Sequence, residues 1–65
     1  MSKLVKIRKG AVISTIDGTS SLVETVDSDL IFNYLKIDRF RNHHHIYLNS
    51  DKYIFIFPSF YEELR

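Results

Sequence analysis

The sequence predicts an α+β fold: a small antiparallel sheet of about four strands in the order β-β-α-β-β, one amphipathic helix and a short C-terminal helical turn. Three observations predict this class: a period of two in residues 4–9, an Asp-Gly turn at residues 17–18, and a helical apolar stripe over residues 30–37. The 65 residues form one small domain, residues 1–65, and 45% of them are hydrophobic, which is ordinary for a folded chain.

The first predicted strand begins at residue 4 and continues beyond Gly10. Residues 4–9 alternate between apolar and basic side chains, which is the pattern of a half-buried strand. The alternation continues beyond Gly10, with Ala11 and Ile13 on the apolar side. Gly10 therefore marks a bulge or a turn within a long first strand.

Asp17-Gly18 is the clearest turn signal, because Asp-Gly tolerates the positive φ angles of a tight hairpin turn. A two-residue loop there pairs Ile13 with Leu22. The alternative is a helix that begins at a capping box formed by Ser21 and Glu24.

The segment after residue 29 is interpreted as the amphipathic helix. Asp27-Ser28-Asp29 supplies residues that cap a helix N-terminus and suit its dipole. The apolar face of this helix consists of Leu30, Ile31, Tyr34, Leu35 and Ile37. The β-branched and aromatic content leaves one alternative architecture, a small all-β barrel in which residues 22–26 and 30–37 are both strands.

A second hairpin is predicted over residues 43–57, and it is apolar on both faces. Pairing across Ser50-Asp51 places Leu48 opposite Tyr53. The face expected to lie in the core then holds Ile46, Leu48, Tyr53, Phe55 and Phe57. The other face holds His45, Tyr47, Ile54 and Ile56.

Pro58 ends the last predicted strand, because proline has no amide hydrogen for the ladder. Ser59 and Glu62 match a second capping box. We therefore expect a final helical turn over residues 60–64.

One small core cannot cover both faces of the second hairpin, so the remaining face needs a partner. Aromatic side chains are the residue type that anchors protein interfaces. The expected protein interface consists of His45, Tyr47, Ile54, Ile56, Phe32 and Phe40. The expected partner is another protein, and a homodimer is predicted because small domains without disulfides gain stability by association.

The composition argues against metal, cofactor and catalytic function. The chain has no Cys, and two imidazoles on one strand face fall short of the four ligands of a closed zinc site. A chain this short rarely encloses a substrate pocket. We therefore expect no metal, no cofactor and no enzymatic activity.

The sequence has no run of roughly 18 apolar residues and no apolar stretch at its N-terminus, so we expect a cytoplasmic protein without membrane contact. Small Cys-free chains are common among inhibitors and modulators encoded by phages or mobile elements, an association by size alone. The functional hypothesis is a small regulator that blocks a site on a host protein.

The alternative function is a small RNA- or DNA-binding regulator with a basic strand face. The net charge is only +1, but residues 1–10 hold four bases and no acid. The candidate contacts to nucleic acid are Lys3, Lys6, Arg8, Lys9, Arg39 and Arg41.

Overall fold

The structure is a computed structural model that describes residues 3–64, and this range forms two antiparallel sheets without an α-helix. The strands are β1 (Leu4–Ile7), β2 (Val12–Asp17), β3 (Ser20–Thr25), β4 (Leu30–Asn33), β5 (Lys36–Arg39), β6 (His44–Tyr47), β7 (Lys52–Ile56) and β8 (Tyr61–Leu64), with a 3₁₀ turn at Pro58–Phe60. The expected α+β class is therefore wrong, and the all-β class left as the alternative is observed. None of the described residues belongs to a helix long and apolar enough to cross a membrane.

The small sheet has the strand order β4-β1-β8, and the large sheet has the order β3-β2-β7-β6-β5. The core lies between their inner faces. Its buried side chains are Val5, Ile7, Ala11, Ile13, Val26, Ile46, Ile54, Ile56 and Tyr61. These residues come from both sheets, so the two sheets are held together chiefly by burial of branched aliphatic side chains.

Gly10 forms both a turn and a bulge where the chain passes from the small sheet to the large one. The Ala11 N–H donates to the Arg8 carbonyl at 3.1 Å, which closes a turn with Gly10 at φ +91°. The Gly10 N–H donates to the Val26 carbonyl at 2.7 Å, and the Val26 N–H donates to the Ala11 carbonyl at 2.8 Å. Gly10 and Ala11 thus lie opposite the single residue Val26, which is the arrangement of a β-bulge with glycine in a left-handed conformation.

The predicted first hairpin is present, but its loop consists of Gly18 and Thr19. Gly18 has φ +63°, and Asp17 pairs with Ser20. Glycine with positive φ at the first loop position is the requirement of a type II′ turn. Leu22 therefore lies opposite Thr15 and not opposite Ile13. This shift by two residues leaves every side chain on its expected face.

The predicted helix over residues 30–37 is wrong, because this segment forms β4 and β5. Leu30 and Phe32 pair with Ile7 and Val5 of the small sheet, whereas Ile37 pairs with Ile46 of the large sheet. The break between the two strands shifts the alternation by one residue. Leu30, Tyr34 and Ile37, which pack against the core, are spaced by four and then three residues. This spacing imitates the apolar stripe of a helix.

The predicted register of the second hairpin is also wrong, by one residue. Tyr47 lies opposite Tyr53, and Ile46 lies opposite Ile54. The Asn49 side chain accepts the Asp51 N–H at 2.8 Å, which stabilises a loop with an odd number of residues. Since side chains alternate with a period of two, this slip reverses the faces of the β7 side chains, while those of β6 keep their expected faces.

The predicted helical turn over residues 60–64 is replaced by β8. A 3₁₀ turn does occur, but it ends at Phe60, and Tyr61 begins a strand that pairs with β1. Glu62 lies opposite Lys6 in this pairing. The cross-strand pairing of an acid with a base favours the strand over the local capping signal.

Candidate functional site

The outer surface of the large sheet carries a row of aromatic and imidazole rings. Because side chains alternate along β6 and β7, the residues that flank the buried Ile46, Ile54 and Ile56 point away from the core. The turn before β6 adds two further rings. We call this surface the aromatic face; it consists of Phe40, His43, His45, Tyr47, Tyr53, Phe55 and Phe57.

The rings of the aromatic face contact one another in an unbroken series. The Phe40 and His43 centroids are 4.9 Å apart, and the His43 and Phe55 centroids are 4.4 Å apart, with interplanar angles of 16° in both pairs. His45 stacks on Tyr53 at 4.7 Å, and Tyr53 contacts Tyr47 at 5.0 Å. Pairs at these separations each contribute about 0.5–1.5 kcal/mol beyond burial, so the rings hold one another in place.

Exposure of the aromatic face is greatest at two of its phenylalanines. Phe40 is 47% exposed and Phe57 is 46% exposed. The surface continues onto β2 and β3, where Ser14 lies opposite both Phe55 and Val23, and Val23 is 66% exposed. A contiguous exposed apolar surface of this kind marks an interaction site more often than scattered single residues do.

Few charges lie on the aromatic face. The Lys36 ammonium is 4.8 Å above the centre of the Tyr47 ring, a cation–π arrangement. The same ammonium lies 3.8 Å from the Asp38 carboxylate. Arg41 is exposed in the turn that follows Phe40. The Lys36–Asp38 pair leaves this part of the face close to neutral.

The structure separates the residues expected in the protein interface into two groups. His45, Tyr47 and Phe40 lie on the aromatic face. Ile54 and Ile56 are buried in the core, with 1% and 0% exposure, as a result of the changed register. Phe32 points inwards from β4 and packs against the core.

Tyr53, Phe55 and Phe57 were expected in the core but lie on the aromatic face. A sequence signal for this placement exists in Asn49-Ser50-Asp51, because Asn at the start of a loop often bonds to the backbone two residues later. A loop centred on Ser50 would have given the observed register.

The basic residues proposed for nucleic-acid contact are dispersed. Lys6 lies 3.6 Å from Asp29, and Arg39 lies 2.6 Å from Glu63. The Lys3 ammonium donates to the Leu35 carbonyl at 3.2 Å. Arg8 and Lys9 lie at the corner between the sheets, and Arg41 lies beside the aromatic face. The structure therefore does not gather these six side chains into one basic surface.

A second group of polar side chains joins β8 to β5 and β6 on the inner side of the sheets. Glu63 accepts hydrogen bonds from the Tyr34 hydroxyl at 2.8 Å and from the Arg39 guanidinium at 2.6 Å. His44 Nδ1 and the Tyr61 hydroxyl are 2.5 Å apart. We call Tyr34, Arg39, His44, Tyr61 and Glu63 the polar cluster.

Burial controls the protonation of the polar cluster. It lowers the pKa of His44 below its ordinary value of 6.5, and the nearby positive charge of Arg39 lowers this pKa further. Burial also raises the pKa of Tyr61. At neutral pH, His44 is therefore neutral and able to accept the Tyr61 hydroxyl proton in a hydrogen bond. The cluster links the sheets, and its groups have partners within the protein.

No three His, Asp or Glu side chains within residues 3–64 come together in a way that could hold a metal ion. His43 and His45 do share a face, but they stack with Phe55 and Tyr53. No protein-family model, curated protein or solved structure matches this chain.

Proposed function

We propose that the protein is a non-enzymatic regulator that acts by binding other protein chains, and that it forms a homodimer through the aromatic face. The observation that carries this proposal is the unbroken series of ring contacts, stacked and tilted, on the outer surface of the large sheet. Aromatic side chains offer a large contact area with few torsions to immobilise, and they dominate the binding energy of protein interfaces.

A second copy of the chain is a suitable occupant of the aromatic face. Two antiparallel sheets pack face to face at about 10 Å with their strands nearly aligned, and flat rings from the two faces then interdigitate. A two-fold interface must be complementary to itself. Lys36 and Asp38 lie on one edge strand of this face. Across a two-fold axis, Lys36 of each copy can therefore pair with Asp38 of the other copy.

Nucleic acid is less well supported as the occupant. Phosphate binding needs clustered Lys and Arg, but Lys6 and Arg39 are each held by a carboxylate. Lys36, the base in contact with the aromatic face, also has an acidic neighbour. The stacked rings could bind unpaired bases, and the experiment below therefore includes an oligonucleotide.

Sedimentation of the full chain from micromolar to near-millimolar concentration tests the homodimer. We expect reversible dimerisation, and we expect Phe55→Ser or Tyr53→Ser to weaken it at least about 30-fold, as loss of an anchoring aromatic residue does. Ile31→Ser is the matched control, because Ile31 is 61% exposed on the outer face of the small sheet. This variant should dimerise like the wild type.

A wild-type chain that stays monomeric throughout this range would overturn the homodimer, and so would equal effects of Ile31→Ser and Phe55→Ser. Fluorescence polarisation with a random single-stranded oligonucleotide tests the alternative occupant. Micromolar binding that falls steeply with salt and is lost in Phe55→Ser would assign the aromatic face to nucleic acid.

A further inference from the structure

We infer that the exposed edge of β3 and the groove beside it bind an extended segment of a partner protein, which adds to the large sheet as a further strand. This inference rests on the proposed function, protein binding, and specifies where and how the partner docks. Strand addition of this kind takes its affinity from backbone hydrogen bonds and its specificity from pockets for alternate side chains.

β3 is a terminal strand whose only ladder partner among the described residues is β2. All of its residues, Ser20–Thr25, are exposed. Of the features that natural proteins use to block such edges, Ser20–Thr25 has no lysine, proline or bulge and only one inward-pointing charge, Glu24, which a basic side chain on an added strand would neutralise. An exposed edge with these properties is a ready template for a further strand.

The hydrogen-bond phase of β3 determines which backbone groups face the edge. The Val26 N–H donates to the Ala11 carbonyl, so Val26 directs its backbone groups towards β2. Antiparallel pairs alternate along a ladder, so the backbone groups of Glu24, Leu22 and Ser20 also face β2. Those of Val23 and its neighbours Ser21 and Thr25 face the edge, where an added strand would bond to them.

A groove of about 340 Å³ lies on the inner side of the same strand. Its apolar lining comes from both sheets and consists of Ile13, Leu22, Phe32, Leu48 and Ile54. A volume of this size accommodates a large apolar side chain with space remaining. Side chains of an added strand that share the face of Leu22 would enter the groove.

The charge of the groove favours a basic residue in the added strand. Asp17 and Lys52 line the groove and lie opposite each other in the ladder, so their opposite charges balance. Glu24 also lines the groove and lies opposite the apolar Ile13. The preferred segment therefore carries an apolar side chain facing Leu22 and, two residues away, a basic side chain facing Glu24.

A second copy of β3 does not meet this requirement, because Ser20–Thr25 contains an acid and no base. The groove is also distinct from the proposed dimer interface, since its lining lies on the inner side of the large sheet. A dimer formed through the aromatic face would leave the groove accessible to the partner, because Leu22 and Glu24 point to the opposite side of β3 from Val23.

A short synthetic peptide, acetyl-Thr-Lys-Val-Leu-Thr-amide, tests the inference. Added antiparallel to β3, it places its Lys opposite Glu24 and its Leu opposite Leu22. We expect nuclear magnetic resonance titration of the full chain to give saturable amide shifts centred on Val23. The same peptide with Glu in place of Lys should bind about two- to five-fold more weakly, as expected for a cross-strand charge pair. The Glu24→Gln variant should remove this difference.

Val23→Pro is the blocking variant. It removes an amide that faces the edge but none that bonds to β2, a position that an edge strand tolerates. We expect it to abolish the saturable shifts while the hairpin stays folded. If Val23→Pro unfolds the chain, a peptide methylated on its central Val nitrogen removes the equivalent hydrogen bond without altering the protein, and it should not bind.

Absence of saturable shifts at β3 would overturn the inference, as would equal binding of the Lys and Glu peptides. Shifts at β3 that depend on protein concentration without peptide would assign the edge to a second copy and would also overturn it. Amide shifts confined to the aromatic face would contradict strand addition at β3 but would not contradict the homodimer. The homodimer is tested separately by sedimentation of Phe55→Ser, so failure of one proposal is distinguishable from failure of the other.

Discussion

The three consecutive histidines illustrate how strand alternation sets the environment of single residues. His43 stacks on Phe55, and His45 stacks on Tyr53, both on the outer surface of the large sheet. His44 points inwards and bonds to the Tyr61 hydroxyl. Identical side chains at adjacent positions therefore belong to two different surfaces, and burial lowers the pKa of both His44 and His45.

The first prediction, at the residue scale, compares two neighbours on β7. Ile54 is 1% exposed, whereas Tyr53 lies on the aromatic face. We expect Ile54→Ala to reduce the free energy of unfolding by about 2–5 kcal/mol, and Tyr53→Ala to reduce it by about 1 kcal/mol. Urea denaturation at a concentration where the chain is monomeric measures both. A larger loss for Tyr53→Ala than for Ile54→Ala would contradict the observed register, because it would place Tyr53 in the core and Ile54 outside it.

At the scale of elements, the connections determine how the strands pair. Gly10 and Gly18, at φ +91° and +63°, form the corner between the sheets and the first hairpin turn. The break between β4 and β5 allows one continuous apolar segment to serve both sheets. The loop around Ser50 sets the face of every side chain in β6 and β7. Short connections therefore decide which side chains are buried.

The second prediction concerns the turn at Gly18. A Cβ added there would meet nothing within 4 Å, so any cost arises from the backbone conformation. We expect Gly18→Ala to lower the free energy of unfolding by about 1–2 kcal/mol, because L-residues disfavour the left-handed region. Thermal or urea denaturation measures this change. A chemically synthesised chain with D-alanine at this position is the control and should not be destabilised; equal losses for both would contradict a backbone origin.

At the scale of the whole molecule, the two sheets differ in how their outer strands meet. The polar cluster joins β8 of the small sheet to β5 and β6 of the large sheet. The other pair of terminal strands, β3 and β4, borders the groove of about 340 Å³. Arg39 and Glu63 are about half exposed, so their ion pair contributes at most about 1 kcal/mol. The core contributes most of the cohesion, and the cluster aligns the sheets.

The third prediction is that acid destabilises the fold through His44. Its pKa is lower in the folded chain than the ordinary 6.5, so the unfolded chain binds more protons in the range between these two pKa values. The stability that neutral His44 provides is present above pH 6.5 and is lost as the pH falls through the folded pKa. The free energy of unfolding should therefore be lower at pH 5.5 than at pH 7.5. The lowered pKa of His45 contributes to this difference with the same sign.

His44→Gln should reduce this pH dependence, whereas Tyr61→Phe should retain it, because burial and not the hydroxyl is the main cause of the lowered pKa. Arg39, His43 and Glu63 also act on His44 and remain in both variants. A wild-type chain that is more stable at pH 5.5 than at pH 7.5 would contradict this assignment.

Local sequence patterns predicted the strands β1, β2, β3, β6 and β7, the turn at Gly18 and the special role of Gly10. These features depend on side-chain alternation and on backbone conformations that only glycine adopts readily, which neighbouring residues reveal. Phe40, His45 and Tyr47 were also identified as interface candidates from the sequence, and they lie on the aromatic face.

Tertiary structure decided which strands pair and which face of the second hairpin packs against the small sheet. Leu30, Tyr34 and Ile37 fit a helical stripe equally well, and only the pairing of β4 with β1 and of β5 with β6 selects strands. Likewise, a one-residue slip between β6 and β7 decides whether Ile54 and Ile56 or the three aromatic residues of this segment join Ile46 in the core. The choice of strands over a helix depends on contacts between residues distant in the chain, whereas the register depends also on the short loop around Ser50. In both cases the alternatives have similar local hydrophobicity. The amino-acid sequence therefore determined that one apolar face of the second hairpin would remain outside the core, and the packing of the two sheets determined which side chains form it.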